Sequence, residues 1–134
     1  MREMVKEETQ KFNLCVKAAL KKKAYDLIAL DIKGISSFAD YFIICSATSN
    51  RQAQAIASSI EIELKKEKIY SLGIEGFNEG EWILLDYDEV IIHVFHQPLR
   101  EFYELERLWA DAPRIEIENA VKEKAKDKSS SDAS

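Results

Sequence analysis

Apolar residues recur at helical spacing from about Glu3 to Lys23, where Met4, Phe12, Cys15, Val16, Ala19 and Leu20 mark one face. Lysines cluster at the end of that stretch, where the helix dipole favours cations. Asp26 to Asp31 is a short apolar run with acidic ends and predicts a strand, followed by a loop of turn formers at Gly34–Phe38. Tyr41 to Cys45 is aromatic and β-branched without alternation, the pattern of a strand buried on both faces. Ser49 followed by Gln52 has the form of a capping box. It opens a helix with Ala53, Ile56, Ala57, Ile60 and Leu64 on one side and Lys65 and Lys66 at its end. Ile69–Ile74 reads as a further strand. Trp82–Tyr87 and Val90–Phe95 are two β-rich runs joined at Asp88 and Glu89, a hairpin signal. After Pro98, a residue tolerated in a first helical turn, Leu99, Phe102, Leu105 and Trp109 form a helical stripe that Pro113 ends.

The order is helix, two strands, helix, three strands, helix. It predicts an α/β fold with a mixed β-sheet of about five strands and flanking helices. The segment Tyr41–Ile74 supplies a parallel crossover if its two strands share a sheet. One domain spans residues 1–112, and 113–134 is a charged C-terminal tail, solvated and frayed from about Glu118.

In the hairpin, one face pairs Tyr87 with Val90, Leu85 with Ile92 and Ile83 with Val94, all apolar or aromatic. The other pairs Asp86 with Ile91, Leu84 with His93 and Trp82 with Phe95, a mixture that a core would not choose. Two readings of that face compete. A helix covers it, with His93 and Asp86 meeting at the edge, or Trp82 is partly exposed and anchors a partner, as tryptophan does at binding hot spots.

At 134 residues the chain suits one domain with a core of its own, and its formal charge of -5 shifts the prior toward a protein or small-molecule partner. Between Ile69 and Leu99 there is no Lys or Arg, while Glu75, Glu79, Glu81, Asp86, Asp88 and Glu89 add six acids. Such a patch either keeps an edge soluble or steers a basic partner, and it repels phosphate backbones, so no base-specific nucleic-acid recognition is expected. No apolar run approaches the roughly twenty residues of a membrane span. The opening MREMVKEETQ, with three Glu, is read as neither a secretory signal nor a transit peptide. Cys15 and Cys45 fit no metal spacing and read as buried thiols of a reducing cytoplasm.

Searches for chemistry fail. Asp86-x-Asp88 could share a magnesium ion in a nucleotidyl transferase, but that reaction also needs a Gly-Ser helix start, and here the start is Ala47-Thr48-Ser49-Asn50. His93 and His96 are too few for zinc with these cysteines. No P-loop, dinucleotide fingerprint or nucleophile elbow is present. No catalytic residue, metal or cofactor is expected.

The run EWILLDYDEVIIHVFHQPLREFYELERLW (Glu81–Trp109) resembles the ribosomal silencing factor, or Iojap-like, family. So do DYFIICSATSNRQAQAIA (Asp40–Ala57) and DLIALDIKGISSFAD before it, the likeness spanning about Phe12 to Ala112. The resemblance implies a nucleotidyltransferase-like topology without catalytic residues and a homodimeric, cytoplasmic regulator. Members bind the large ribosomal subunit through its protein number fourteen, block joining of the small subunit and repress translation when nutrients are short. Position by position, Trp82, Asp86 and His93 fall on family positions, as do Arg100, Tyr103, Leu105, Glu106, Leu108 and Trp109 in the last helix. Ser46, Asn50, Arg51 and Gln52 match the entry to the second helix. Asp88 stands where the family usually has glycine, which fits a turn needing positive φ and demotes Asp86-x-Asp88 as a metal pair. Trp82, Asp86 and Asp88, with Tyr103 and Glu106 next, are the expected contacts. Leu105 and Leu108 are expected in the core, Tyr103, Glu106 and Trp109 on one helix face, and Arg100 on a hairpin carboxylate. The alternatives are a nucleotide-binding enzyme on the same fold and a general protein adaptor.

Overall fold

The computed structural model describes residues 6–37, 39–115 and 117. Helix α1 (Lys6–Lys21) leads into strands β1 (Tyr25–Asp31) and β2 (Tyr41–Ala47), then α2 (Asn50–Lys66). Strands β3 (Gly73–Glu75), β4 (Trp82–Tyr87) and β5 (Val90–His96) follow, and the short helices α3 (Gln97–Tyr103) and α4 (Leu105–Leu108) come last. The five strands form one sheet in the order β1-β2-β5-β4-β3. Only the central β2–β5 pair is parallel. Strand β3 therefore runs parallel to β2 in the same sheet, and the crossover through α2 spans β5 and β4 to reach it.

Each face of the sheet has its own core. Ile43, Cys45, Ile83, Leu85, Ile92 and Val94 point into a cluster closed by Phe12, Val16 and Ala19 of α1 and Ala53, Ile56, Ala57, Ile60 and Leu64 of α2. Phe42, Ile44, Ile91 and Phe95 point the other way, toward Leu105 and Ala112, with Trp82, Leu84, Leu99 and Trp109 packed around them. Every residue of β2 is buried, as a central strand covered on both sides requires. The hairpin pairing is the one that alternation predicts, from Trp82 with Phe95 to Tyr87 with Val90.

Four local expectations are corrected. The capping box is rewired: Ser49 Oγ accepts the Gln52 N–H at 3.0 Å, but Gln52 Oε1 accepts from the N–H and hydroxyl of Thr48 instead of the cap residue. Its Nε2 meanwhile donates to the carbonyls of Lys22 and Lys23, tying the end of α1 to the start of α2. The strand expected over Ile69–Ile74 shrinks to three residues at 73–75, because Ile69 N–H still closes onto Leu64 O and pairing begins only where Leu72 N–H meets Asp86 O.

The final helix is not continuous. Glu104 adopts φ 46°, its N–H closing α3 on Arg100 O, and α4 restarts in a new direction. Past Pro113 the chain stays on the sheet: Asp31 N–H bonds Pro113 O, Ile115 N–H bonds Ala29 O, and Arg114 bridges Leu30. The tail expected over 113–134 thus begins as an extra pairing on β1, while the stretch from Glu118 lies outside the described residues.

Candidate partner-binding face

Strand alternation places Trp82, Leu84 and Asp86 on the α3/α4 side of the sheet, near its β3 edge, and all three are half-buried. The Trp82 indole stacks on Phe95 at 4.9 Å between ring centroids and lies 5.1 Å from the Tyr103 ring. Its Nε1–H donates to His93 Nδ1 at 3.1 Å. Because Nδ1 accepts, a neutral His93 carries its proton on Nε2. That ring is 4 % exposed, with Phe42 edge-on at 4.7 Å, and burial pushes its pKa down to about 4. The two readings of Trp82 therefore merge. The indole is oriented by the core and still leaves part of its surface to solvent.

The loop before Trp82 is fitted closely. Gly76, at φ +77°, presses on the backbone of Trp82, and a β carbon there would lie 2.1 Å from the Trp82 carbonyl oxygen. Gln54 Nε2 donates to the carbonyls of Phe77 and Asn78, holding the same loop on α2. Asn50 is exposed at the start of α2, its backbone in contact with Gly80, and Arg51 is exposed beside it.

Asp86 and Asp88 lie at the other end of the hairpin, about 13 Å along the strand from Trp82. Asp86 does not meet His93. Its Oδ1 accepts the Asp88 N–H at 2.9 Å, a turn contact that lets Asp88 adopt φ 71°, the left-handed geometry expected at this position. The acidic patch is also smaller than the sequence implies, because Lys11 of α1 ion-pairs with Glu89 and donates to Tyr87 O at 3.1 Å. Glu75, Glu79, Glu81 and Asp88 remain exposed.

Arg100 belongs to neither the hairpin nor solvent. It is buried, with Nε on Glu106 Oε2 at 3.1 Å and one terminal nitrogen on Asp26 O and Ser46 Oγ. A bulge between Tyr25 and Ile28, with Asp26 at φ 49°, turns that carbonyl out of the ladder toward the guanidinium. The expected pairing with a hairpin carboxylate is thus replaced by a clamp across β1, β2 and α4.

Tyr103, Glu106 and Trp109 do not share a face, since the break at Glu104 separates them. Tyr103 lies on Trp82, Glu106 on Arg100, and Trp109 edge-on to Phe42 at 5.2 Å. Leu105 is buried as expected, but Leu108 is 76 % exposed, and Phe102 (71 %) and Tyr103 (50 %), with ring centroids 5.0 Å apart, leave an exposed apolar surface beside the indole. The pairing of Trp82 with Phe95 was legible in the hairpin, whereas Phe42 and Lys11 were not marked by the sequence as parts of this region. Phe42 lies in a run without alternation, buried on both faces, so its side is not marked by the sequence, and nothing local marks a lysine as reaching a hairpin in the distant half of the chain. Burial raises the Cys15 and Cys45 thiols to about 12, as for inert core thiols. Among the described residues no three acidic, His or Cys side chains converge to hold a metal ion, and no helix is long and apolar enough to cross a membrane.

The fold is shared with known proteins. The family model described as "Ribosomal silencing factor during starvation" matches residues 5–134. The chain is 42 % identical to the ribosomal silencing factor of Halalkalibacterium halodurans over 108 residues, covering 81 % of this chain and 92 % of that one. It is 45 % identical to the Bacillus subtilis protein of the same name, covering 72 % and 82 %. A crystal structure of a Chromobacterium violaceum protein superposes with a TM-score of 0.74 at 33 % identity, covering 76 % of this chain and 85 % of that one. The chain belongs to the ribosomal silencing factor family.

Proposed function

We propose that this protein is a non-enzymatic, cytoplasmic repressor of translation that binds the large ribosomal subunit through its protein number fourteen. Its bulk then obstructs the small subunit, so that silencing needs occupancy and no turnover. On this reading the resting form is a homodimer, and large-subunit biogenesis falls within its range of action. The observation that carries the reading is the Trp82 surface. A half-buried indole held by His93, Phe95 and Tyr103 is flanked by exposed apolar side chains, with Glu75 and Glu81 nearby. A pre-oriented aromatic loses little conformational freedom on docking, and adjacent carboxylates steer a basic protein.

Replacing Trp82 by alanine is expected to weaken co-sedimentation with isolated large subunits at least tenfold, about 1.4 kcal/mol. Circular dichroism checks that the variant is folded. Trp82→Phe, which keeps ring packing and loses the indole N–H, is expected to fall between wild type and alanine. Unchanged co-sedimentation by folded Trp82→Ala refutes the anchor assignment, and undiminished subunit joining in the presence of wild-type protein refutes the repressor reading.

A further inference from the structure

Strand register carries the indole's face of the sheet onto its outermost strand. Gly73 pairs with Asp86 and Glu75 with Leu84, so both β3 residues sit on the side that bears Trp82, Leu84 and Asp86. On that side α3 packs over β5 and β2. Leu84 and Asp86 stay half-buried, and Gly73 and Glu75 are exposed. Together they make a shelf that begins at the indole and ends at the open edge of the sheet.

Gly73 is not required by its own fold. Its φ is not left-handed, a β carbon there would meet nothing within 4 Å, and the three β3 pairs run in step without a bulge. Glycine weakens a strand, and with no bend or bulge to serve, its remaining use is to let another backbone come close.

The charge on the shelf is of one sign. Gly73, Asp86, Leu84 and Glu75 form a square with the two carboxylates at opposite corners, their Cα atoms about 7–8 Å apart. Asp86 accepts the Asp88 N–H through one oxygen, and among the described residues neither carboxylate meets a lysine or arginine. Lys11, which does reach the hairpin, is held by Glu89. An apolar side chain between two solvent-accessible carboxylates matches the apolar stem and charged head of a basic residue.

We propose that the bound partner continues from the indole along β4 onto β3. Its chain passes over Gly73, and one of its lysines or arginines lies across Leu84 with the charge between Glu75 and Asp86. This rests on the reading that the partner is a basic ribosomal protein, and it extends the contact away from α3 and α4 to the sheet edge.

The test is Gly73→Val, which fills the shelf at a position where the fold leaves room. The melting temperature is expected to hold or rise, while co-sedimentation with large subunits drops at least tenfold. A melting temperature lowered by several degrees marks Gly73 as structural and overturns the proposal. Normal co-sedimentation of Gly73→Val beside weakened Trp82→Ala overturns the shelf and leaves the proposed function standing. If both variants bind normally, both fall. A loss for Gly73→Val alone keeps the shelf and removes Trp82 as the anchor. Glu75→Gln tests the charge: binding is expected to weaken severalfold at low salt, with the gap from wild type closing as salt screens it. Binding unchanged at every salt concentration overturns the basic contact, and tighter binding overturns it in favour of an approaching phosphate backbone.

Discussion

On the face beneath α1 and α2, Ile43, Cys45, Ile83, Leu85, Ile92 and Val94 are fully buried side by side. On the face beneath α3 and α4, His93 and Ser46 lie among Phe42, Phe95 and Trp82, and Leu84 and Asp86 are left half-covered. The first face is covered by two long helices joined by Gln52 and by a buried Ser59–Ala18 contact. The second is covered by one seven-residue and one four-residue helix that stop short of the β3 edge. Stability is thus concentrated on one side of the sheet, and the other keeps apolar surface available at the cost of polar groups that need specific partners. Such a division fits a protein that acts by binding, because the surface it exposes is not the surface that holds it together.

The largest expected contrast comes from Leu85→Ala, which opens a cavity in the sealed core. It is expected to cost about 3 kcal/mol in urea denaturation, and a loss below about 1 kcal/mol would mean that this face is not the stabilising one. Next is acid sensitivity on the other face. The unfolded chain takes up a proton at His93 as pH falls below its ordinary value near 6.5, whereas the folded chain resists until about 4. Stability contributed by the neutral ring is therefore present above that range and declines as pH falls through it, by up to about 3 kcal/mol. Denaturation at several pH values between 7 and 4 should show this slope, and His93→Gln, which can still accept the indole N–H, should flatten it.

A smaller effect of opposite sign is expected on the sealed face. The Tyr87 hydroxyl is buried without a partner among the described residues, and burial pushes its pKa upward. Tyr87→Phe should therefore be neutral or gain up to about 1 kcal/mol in thermal unfolding. A clear loss would reveal a satisfied hydroxyl. The smallest expected change is Asp88→Gly, which relieves the left-handed turn while leaving the Asp86 contact to the backbone N–H in place. It should gain about 0.5 kcal/mol without altering the melting behaviour of Leu85→Ala when the two are combined.

These contrasts track what could be read from the chain. Hairpin register, the buried central strand and the apolar face of α2 follow from periodicity alone, because each residue's side is set by its own position. The turn at Asp88 was legible for the same local reason. What escaped depends on distant neighbours. Nothing around Glu104 marks it as left-handed. The break arises where Tyr103 is drawn to Trp82 and Glu106 to Arg100, and these tertiary contacts outweigh the helical spacing of Leu99, Phe102, Leu105 and Trp109. Likewise Gln52 matched a capping pattern, but the free carbonyls at the end of α1 offered its amide a second use.

The bulge at Asp26 reaches further than its size indicates. One surplus residue in an edge strand frees a single carbonyl, and that carbonyl anchors the guanidinium on which α3 and α4 converge. Shortening β1 by one residue would return the oxygen to its ladder and leave the arginine without that anchor. The orientation of the indole-bearing surface, three strands away, is thus subject to the length of a segment that never touches it.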